Sequence, residues 1–258
     1  MIAKYKTGYV IPGNVLQALK YVGKIGVLST QDWHQFFGND KKIRWQQKQL
    51  KYLVDNDYLR KHSATSFKGK WIIGENGKKL LEELSCIAVH PTWAHQVDHD
   101  EYVGRSMLML ENAKLITSWM SASELVKSNQ DKYQLTRKDG DQKFPDALFD
   151  VFLHNQKKTV AIEYERNGKS QTRYRSILWN YAGLGQISLI LFICENKTIQ
   201  RRIEETFLYL KMPELIDRLA TTSAVEWKKS SMEAPLKMNR GIIRLKDVCN
   251  QIEQKIAS

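Results

Sequence analysis

The chain has 258 residues, 42% of them hydrophobic and 26% charged, and a formal net charge of +12. That length allows one large domain or two modest ones of ordinary globular composition. The longest apolar run, Ile187 to Cys194, is broken only by Ser188 and is far too short to cross a bilayer, and no apolar core follows Lys4 and Lys6, so a membrane partner and a secretory segment are not expected and the location is expected to be cytoplasmic.

In chain order, the basic surplus comes first. Fifteen of the 40 Lys and Arg residues, but only seven of the 28 Asp and Glu, fall within residues 1–85. A surplus concentrated at one end points to an anionic partner for that end, and nucleic acid fits better than a lipid surface because no wide apolar helix face accompanies the charge. Val15, Leu16, Leu19 and Val22 predict a helix from Asn14 to Lys24, ended by Gly23 and Gly26. Ser29-Thr30-Gln31-Asp32 starts a second, capped by Ser29 or Thr30, with Trp33, Phe36 and Phe37 on its buried face and Gly38 closing it. A third runs from about Lys41 to Asp55. It carries Lys41, Lys42, Arg44, Lys48 and Lys51, with Ile43, Gln47, Leu50 and Val54 on the other face. Tyr58–His62 and Lys70–Ile73 read as two short strands with a basic tip, and Asn76–Leu84 as a helix.

Three helices followed by a two-stranded wing is the winged helix-turn-helix pattern, expected over residues 1–88. The third helix would enter the major groove of double-stranded DNA, with Lys41, Lys42, Arg44 and Lys48 on phosphates and Arg44, Gln46 or Gln47 free to reach base edges. Lys68 and Lys70 of the wing would add phosphate contacts. The competing reading is a solvated basic helix in a protein-binding domain.

Ser85–Gln96 has no clean period and reads as the connection to a second domain, 97–258. Within it, Asp98–Leu115 predicts a helix, Ile116–Leu125 a strand running into a short acidic segment, and Asn129–Lys143 a loop. Ala147–Leu153 and Thr159–Glu165 read as a hairpin turning through Asn155–Lys158. Glu163 and Glu165 then share a face. With the turn centred on Gln156 and Lys157, Asp146 lies opposite Glu165–Asn167. Three carboxylates crowded at one sheet edge repel unless a cation joins them, and Mg²⁺ or Mn²⁺ held by Asp146, Glu163 and Glu165 is the expected one. Next come a helix from Gln171 to Tyr181 bearing Arg173 and Arg175 beyond the acids, a buried strand Ile187–Cys194, and a helix Lys197–Leu210 expected on the other face of the sheet. Val225–Trp227 and Ile242–Leu245 read as late strands, and Val248–Ile256 as a closing helix. Cys86, Cys194 and Cys249 lie far apart without metal-site spacing and are expected to be free thiols.

Pro145-Asp146, Glu163-x-Glu165, a helix and a hydrophobic strand resemble the α/β, mixed-sheet restriction-endonuclease-like fold with its Pro-Asp…Asp/Glu-x-Lys signature. Joined to an N-terminal winged helix, the layout resembles the replication-relaxation family and, more closely, the mobilisation relaxases of the MOBC class, over nearly the whole chain. The resemblance implies a metal-dependent relaxase that nicks one strand at the transfer origin of a plasmid or integrative element, alongside accessory relaxosome or coupling proteins. Asp146 and Glu163 match the metal-binding acids of the signature. Glu165 stands where the signature has Lys, which leaves the general base open; Lys169 could supply a cation from a shifted position. Glu101, or its competitor Glu111, matches the extra acid such folds place on their first helix. His99 reads as a satisfied helix-start residue ahead of a catalytic one, and three tyrosines, Tyr164, Tyr174 (read as exposed on its helix) and Tyr181, read as packing or strand contacts ahead of nucleophiles; attack by an activated water fits the residues better than tyrosine attack. A non-catalytic DNA-binding replication or transcription regulator that keeps this fold, and a restriction nuclease cutting both strands, are the alternatives.

Overall fold

The computed structural model describes residues 11–38, 41–63, 69–89, 92–116, 118–136, 142–153 and 156–249. The chain divides into two units, Met1–Arg105 and Ser106–Ser258.

In the first unit α1 (Gly13–Ile25) buries Val15, Leu19 and Val22 at helical spacing and ends on Gly26, whose φ of 86° is open to glycine at no steric cost. β1 (Leu28–Ser29) leads into α2 (Thr30–Asp32), which continues as a π-helical turn, Trp33–Phe37. Ser29 is the cap, its side chain accepting the Asp32 N–H. α3 (Ile43–Asp55), β2 (Leu59–Lys61), β3 (Lys70–Ile73) and α4 (Glu75–Glu83) follow. Among the described residues the strands form an antiparallel sheet in the order β1-β3-β2. β1 was not expected; two residues are too few to show alternation. The inner face of α3 also differs from the expected one. Gln46, Leu50 and Leu53 are buried, while Ile43 is 62% exposed and Gln47 is exposed. The Gln46 amide is satisfied inside, donating to the Lys41 carbonyl at 2.7 Å and meeting His34, so a polar residue takes a core position that a hydropathy stripe passes over. The segment read as a connection is tied down as well: the Val89 N–H donates to the Gly23 carbonyl at 2.7 Å and the Thr92 hydroxyl to the Ile25 carbonyl at 3.0 Å.

α5 (Val97–Asn112) contains the division between the units. The second unit continues with β4 (Trp119–Ser121) and α6 (Ala122–Lys127), joined by a capping box of Ser121 and Glu124. The expected loop over 129–143 holds a short ladder, β5 (Leu135–Thr136) with β6 (Gln142–Lys143). Then come β7 (Ala147–Leu153), β8 (Gln156–Glu165), α7 (Gln171–Gly183), β9 (Ile187–Cys194), α8 (Lys197–Leu210), β10 (Leu219–Ser223), α9 (Ala224–Lys229), β11 (Leu236–Met238), β12 (Gly241–Ile243) and α10 (Leu245–Cys249). Among the described residues this is an α/β unit on a seven-stranded mixed sheet, ordered β12-β11-β10-β9-β8-β7-β4.

Three expectations change here. The hairpin pairs Leu153 with Gln156 and Ala147 with Ile162, so it closes earlier than expected, and continuing the register sets Asp146 opposite Glu163 rather than Glu165–Asn167. Asp150 accounts for the shift: Lys157 at 2.9 Å and Thr159 at 2.8 Å both reach it, holding polar residues in the strand. α8 shares the face of α7 instead of covering the other: Tyr174, Leu178 and Tyr181 join Ile203 and Phe207 in one cluster over Ala161, Ile190 and Phe192. β8, β9 and β10 are parallel and in sequence, and right-handed crossovers stepping one way across a sheet put both helices on one side. Val225–Trp227 is helical, because Ser223 caps the Glu226 N–H at 3.1 Å and Trp227 turns into the core. Of the expected closing helix, residues 250–256 lie outside the described residues. Among the described residues no helix is long and apolar enough to cross a membrane.

Candidate functional site

Alternation along β8 sends Val160, Ile162 and Tyr164 one way and Ala161, Glu163 and Glu165 the other. The second set faces the layer of α7 and α8, where the neighbouring positions are apolar. Both glutamates are therefore buried, each side chain 1% exposed. Each carboxylate has partners. The Lys143 ammonium, from β6, lies 2.5 Å from Glu163 Oε2, and the Tyr181 hydroxyl of α7 donates to Glu163 Oε1 at 2.6 Å. The Lys169 ammonium pairs with Glu165 Oε2, which also accepts the Tyr174 hydroxyl at 3.4 Å. Asp146, just before β7, accepts the Tyr164 backbone N–H on Oδ2 at 2.8 Å. Lys169 precedes the Ser170 cap of α7, so the start of that helix carries one lysine and its inner face the two phenols.

Burial pushes the Glu163 carboxyl above its usual range. Asp146 and Glu165 push it the same way, and Lys143 opposes them. Burial alone would depress the Lys143 ammonium, but Glu163, Asp146 and Glu165 more than reverse this and hold it charged. Burial first, and then the adjacent glutamates, raise the Tyr174 and Tyr181 phenols, so both serve as hydroxyl donors rather than as phenolates. Burial likewise raises the Cys194 thiol.

Glu165 Oε1 is buried with no hydrogen-bond partner among the described residues. A buried, unmatched carboxylate oxygen fits a hard cation in kind. Among the described residues no three acidic, His or Cys side chains stand ready as a metal-ligating group; both oxygens of Glu163 already have protein partners.

Of the residues picked from the sequence, Asp146, Glu163, Glu165 and Lys169 are brought together. Glu101 is committed within the first unit, where its carboxylate takes the Lys70 ammonium and, at 2.7 Å, the Arg105 guanidinium. Lys70, expected on phosphate, is thereby held in an ion pair with its side chain only 17% exposed. Lys41, Lys42, Arg44, Gln47 and Lys48 are exposed on or just before α3, whereas Gln46 is buried away from any base edge. Lys68 lies outside the described residues. His99 pairs with Asp100 at 3.0 Å. Tyr174, expected on an exposed side, is fully buried, because α7 turns Tyr174, Leu178 and Tyr181 inward together. The Tyr164 hydroxyl donates to Glu195 at 2.6 Å.

Sequence reasoning missed Lys143 as a site residue, and weighed Tyr181 only as an attacking group rather than as a donor to Glu163. Tyr181 left a usable signal, since two tyrosines seven positions apart on a helix following an acidic strand share a face. Lys143 left none, because its partner is distant in sequence and its strand is two residues long. Comparison of the chain with protein-family models, curated proteins and solved structures finds no match. The functional reading therefore rests on the residues themselves.

Proposed function

We propose that this chain is a metal-dependent DNA endonuclease of restriction-endonuclease-like build, with a winged-helix unit that holds duplex DNA. The observation that carries the reading is the gathering of Asp146, Glu163 and Glu165 at one end of the β7–β8 pair against two lysines, with a buried Glu165 oxygen left unmatched. Acids are seldom buried without a use that repays their desolvation. Mg²⁺ or Mn²⁺ would be held by Asp146, Glu163 and Glu165 and, when bound, would activate water and offset the charge that builds on a phosphodiester. The chain's own residues set the acids for this: the Tyr164 N–H fixes Asp146, Tyr181 orients Glu163, and Lys169 brings positive charge towards an anionic substrate.

The order of helices α1 to α3 followed by the β2–β3 pair, with exposed Lys41, Lys42, Arg44 and Lys48, supports a phosphate-contacting role for the first unit, with Gln47 free for a base edge. Nicking of one strand at a transfer origin, together with accessory relaxosome proteins, follows from the resemblance alone. The test is nicking of supercoiled plasmid with and without Mn²⁺. Asp146→Ala and Glu163→Ala should abolish nicking and keep DNA binding. Replacing Lys41, Lys42 and Arg44 together should weaken binding and flatten its salt dependence by about three ion equivalents. Undiminished nicking by both acid variants would refute the assignment. One observation favours a DNA-binding regulator without chemistry: Lys143 and Tyr181 already occupy both Glu163 oxygens. Absence of divalent-ion binding would mark that reading.

A further inference from the structure

We infer that Lys143 is the built-in counter-ion of the acidic cluster: its ammonium stands where a divalent cation would take its charge, so ion binding and the Lys143–Glu163 pair exclude one another. The inference rests on the metal site proposed above and adds what must move for it to fill. Glu163 Oε1 is held by the Tyr181 hydroxyl, so Oε2, the oxygen Lys143 occupies at 2.5 Å, is the one left to exchange. The two ends of the pair differ in freedom. Glu163 is 1% exposed on a central strand, whereas the Lys143 side chain is 24% exposed. Lysine suits this role, being a flexible stem with a compact charge.

Like charge argues the same way: a divalent ion taken up beside an inserted Lys143 would set two cations on one buried Glu163 carboxylate, which is unfavourable. Lys169 is not the exchanging partner, because its pairing leaves Glu165 Oε1 open and its backbone is fixed by the Arg202 guanidinium, which donates to the Lys169 carbonyl at 2.9 Å.

The test is Mn²⁺ titration by calorimetry on the full chain in wild type, Lys143→Met and Lys143→Arg. Lys143→Met should bind Mn²⁺ about tenfold more tightly or better, a coupling of ordinary size for two ligands of one site. Lys143→Arg, which keeps the charge, should stay near wild type. In parallel, wild-type protein is acylated with an N-hydroxysuccinimide ester and mapped by mass spectrometry. Labelling of Lys143 should rise several-fold when Mn²⁺ is added. If Lys143→Met folds only in the presence of Mn²⁺, that dependence supports the inference; if it folds in neither condition, the wild-type labelling decides. Equal Mn²⁺ affinity in wild type and Lys143→Met, with unchanged labelling, overturns the exchange and leaves the metal site standing. No Mn²⁺ binding by any variant overturns both.

Discussion

Replacing Tyr181 by Phe isolates how firmly the fold holds Glu163. The substitution removes one oxygen and keeps the ring, which packs edge-on to Phe192 with centroids 6.4 Å apart, so no cavity larger than a hydroxyl opens. The lost contact is a 2.6 Å hydrogen bond between two buried side chains, one of them a carboxylate. Hydrogen bonds to charged groups contribute roughly 1.5–3 kcal/mol, and neutral ones about 1 kcal/mol. Tyr181→Phe should therefore lower the stability of the second unit by about 2 kcal/mol, a drop of about 4–8 °C in its melting temperature. In a Glu163→Gln background the same change should lower stability by only about 1 kcal/mol, because the acceptor is then neutral. Scanning calorimetry on wild type, both single variants and the double variant closes the cycle. A loss below about 0.5 kcal/mol, or equal losses in both backgrounds, would refute the claim that the phenol acts on a charged Glu163.

Two further outcomes are expected. The folded state raises the Glu163 carboxyl above its ordinary value of 4.5, so the folded chain holds that proton more tightly than the unfolded one; the resulting stability is present at low pH and is lost as pH rises from 4.5 through the raised value. Wild type should accordingly lose stability relative to Glu163→Gln over that window in urea titrations at successive pH, and parallel curves would contradict it. In the first unit Asp32 is fully buried and takes the Arg105 guanidinium at 2.7 Å and the Ser29 hydroxyl at 2.8 Å. Asp32→Ala should lower the stability of that unit by about 3 kcal/mol, as removal of one partner from a buried pair does, and a calorimetric change under about 1 kcal/mol would count against that role.

Much of this architecture was legible because the decisive signals are local. Ile187–Cys194 is a continuous apolar run and forms β9 over those residues, Lys197–Leu210 keeps a helical stripe and forms α8, and Glu163-x-Glu165 puts two acids on one face by alternation alone. What escaped depends on pairings between distant residues. The hairpin register was set by Asp150 reaching Lys157 and Thr159 rather than by the turn-like look of Gln156–Lys158. Gln46 reads, with Arg44 and Gln47, as able to reach a base edge because nothing local shows that His34 and the Lys41 carbonyl satisfy its amide. Lys143 falls in a stretch whose polarity reads as a loop, yet its ammonium pairs with Glu163. Glu101 matches the extra acid of the resemblance, and only the folded unit brings Lys70 and Arg105 to it.

The most direct measurement is anomalous diffraction at the manganese edge from crystals of the full chain soaked in Mn²⁺. The account predicts a peak within roughly 2–2.5 Å of the carboxylate oxygens of Asp146 and Glu165, with the Lys143 ammonium withdrawn from Glu163. A fully soaked crystal with no peak between those acids, and Lys143 still bound to Glu163, would contradict it.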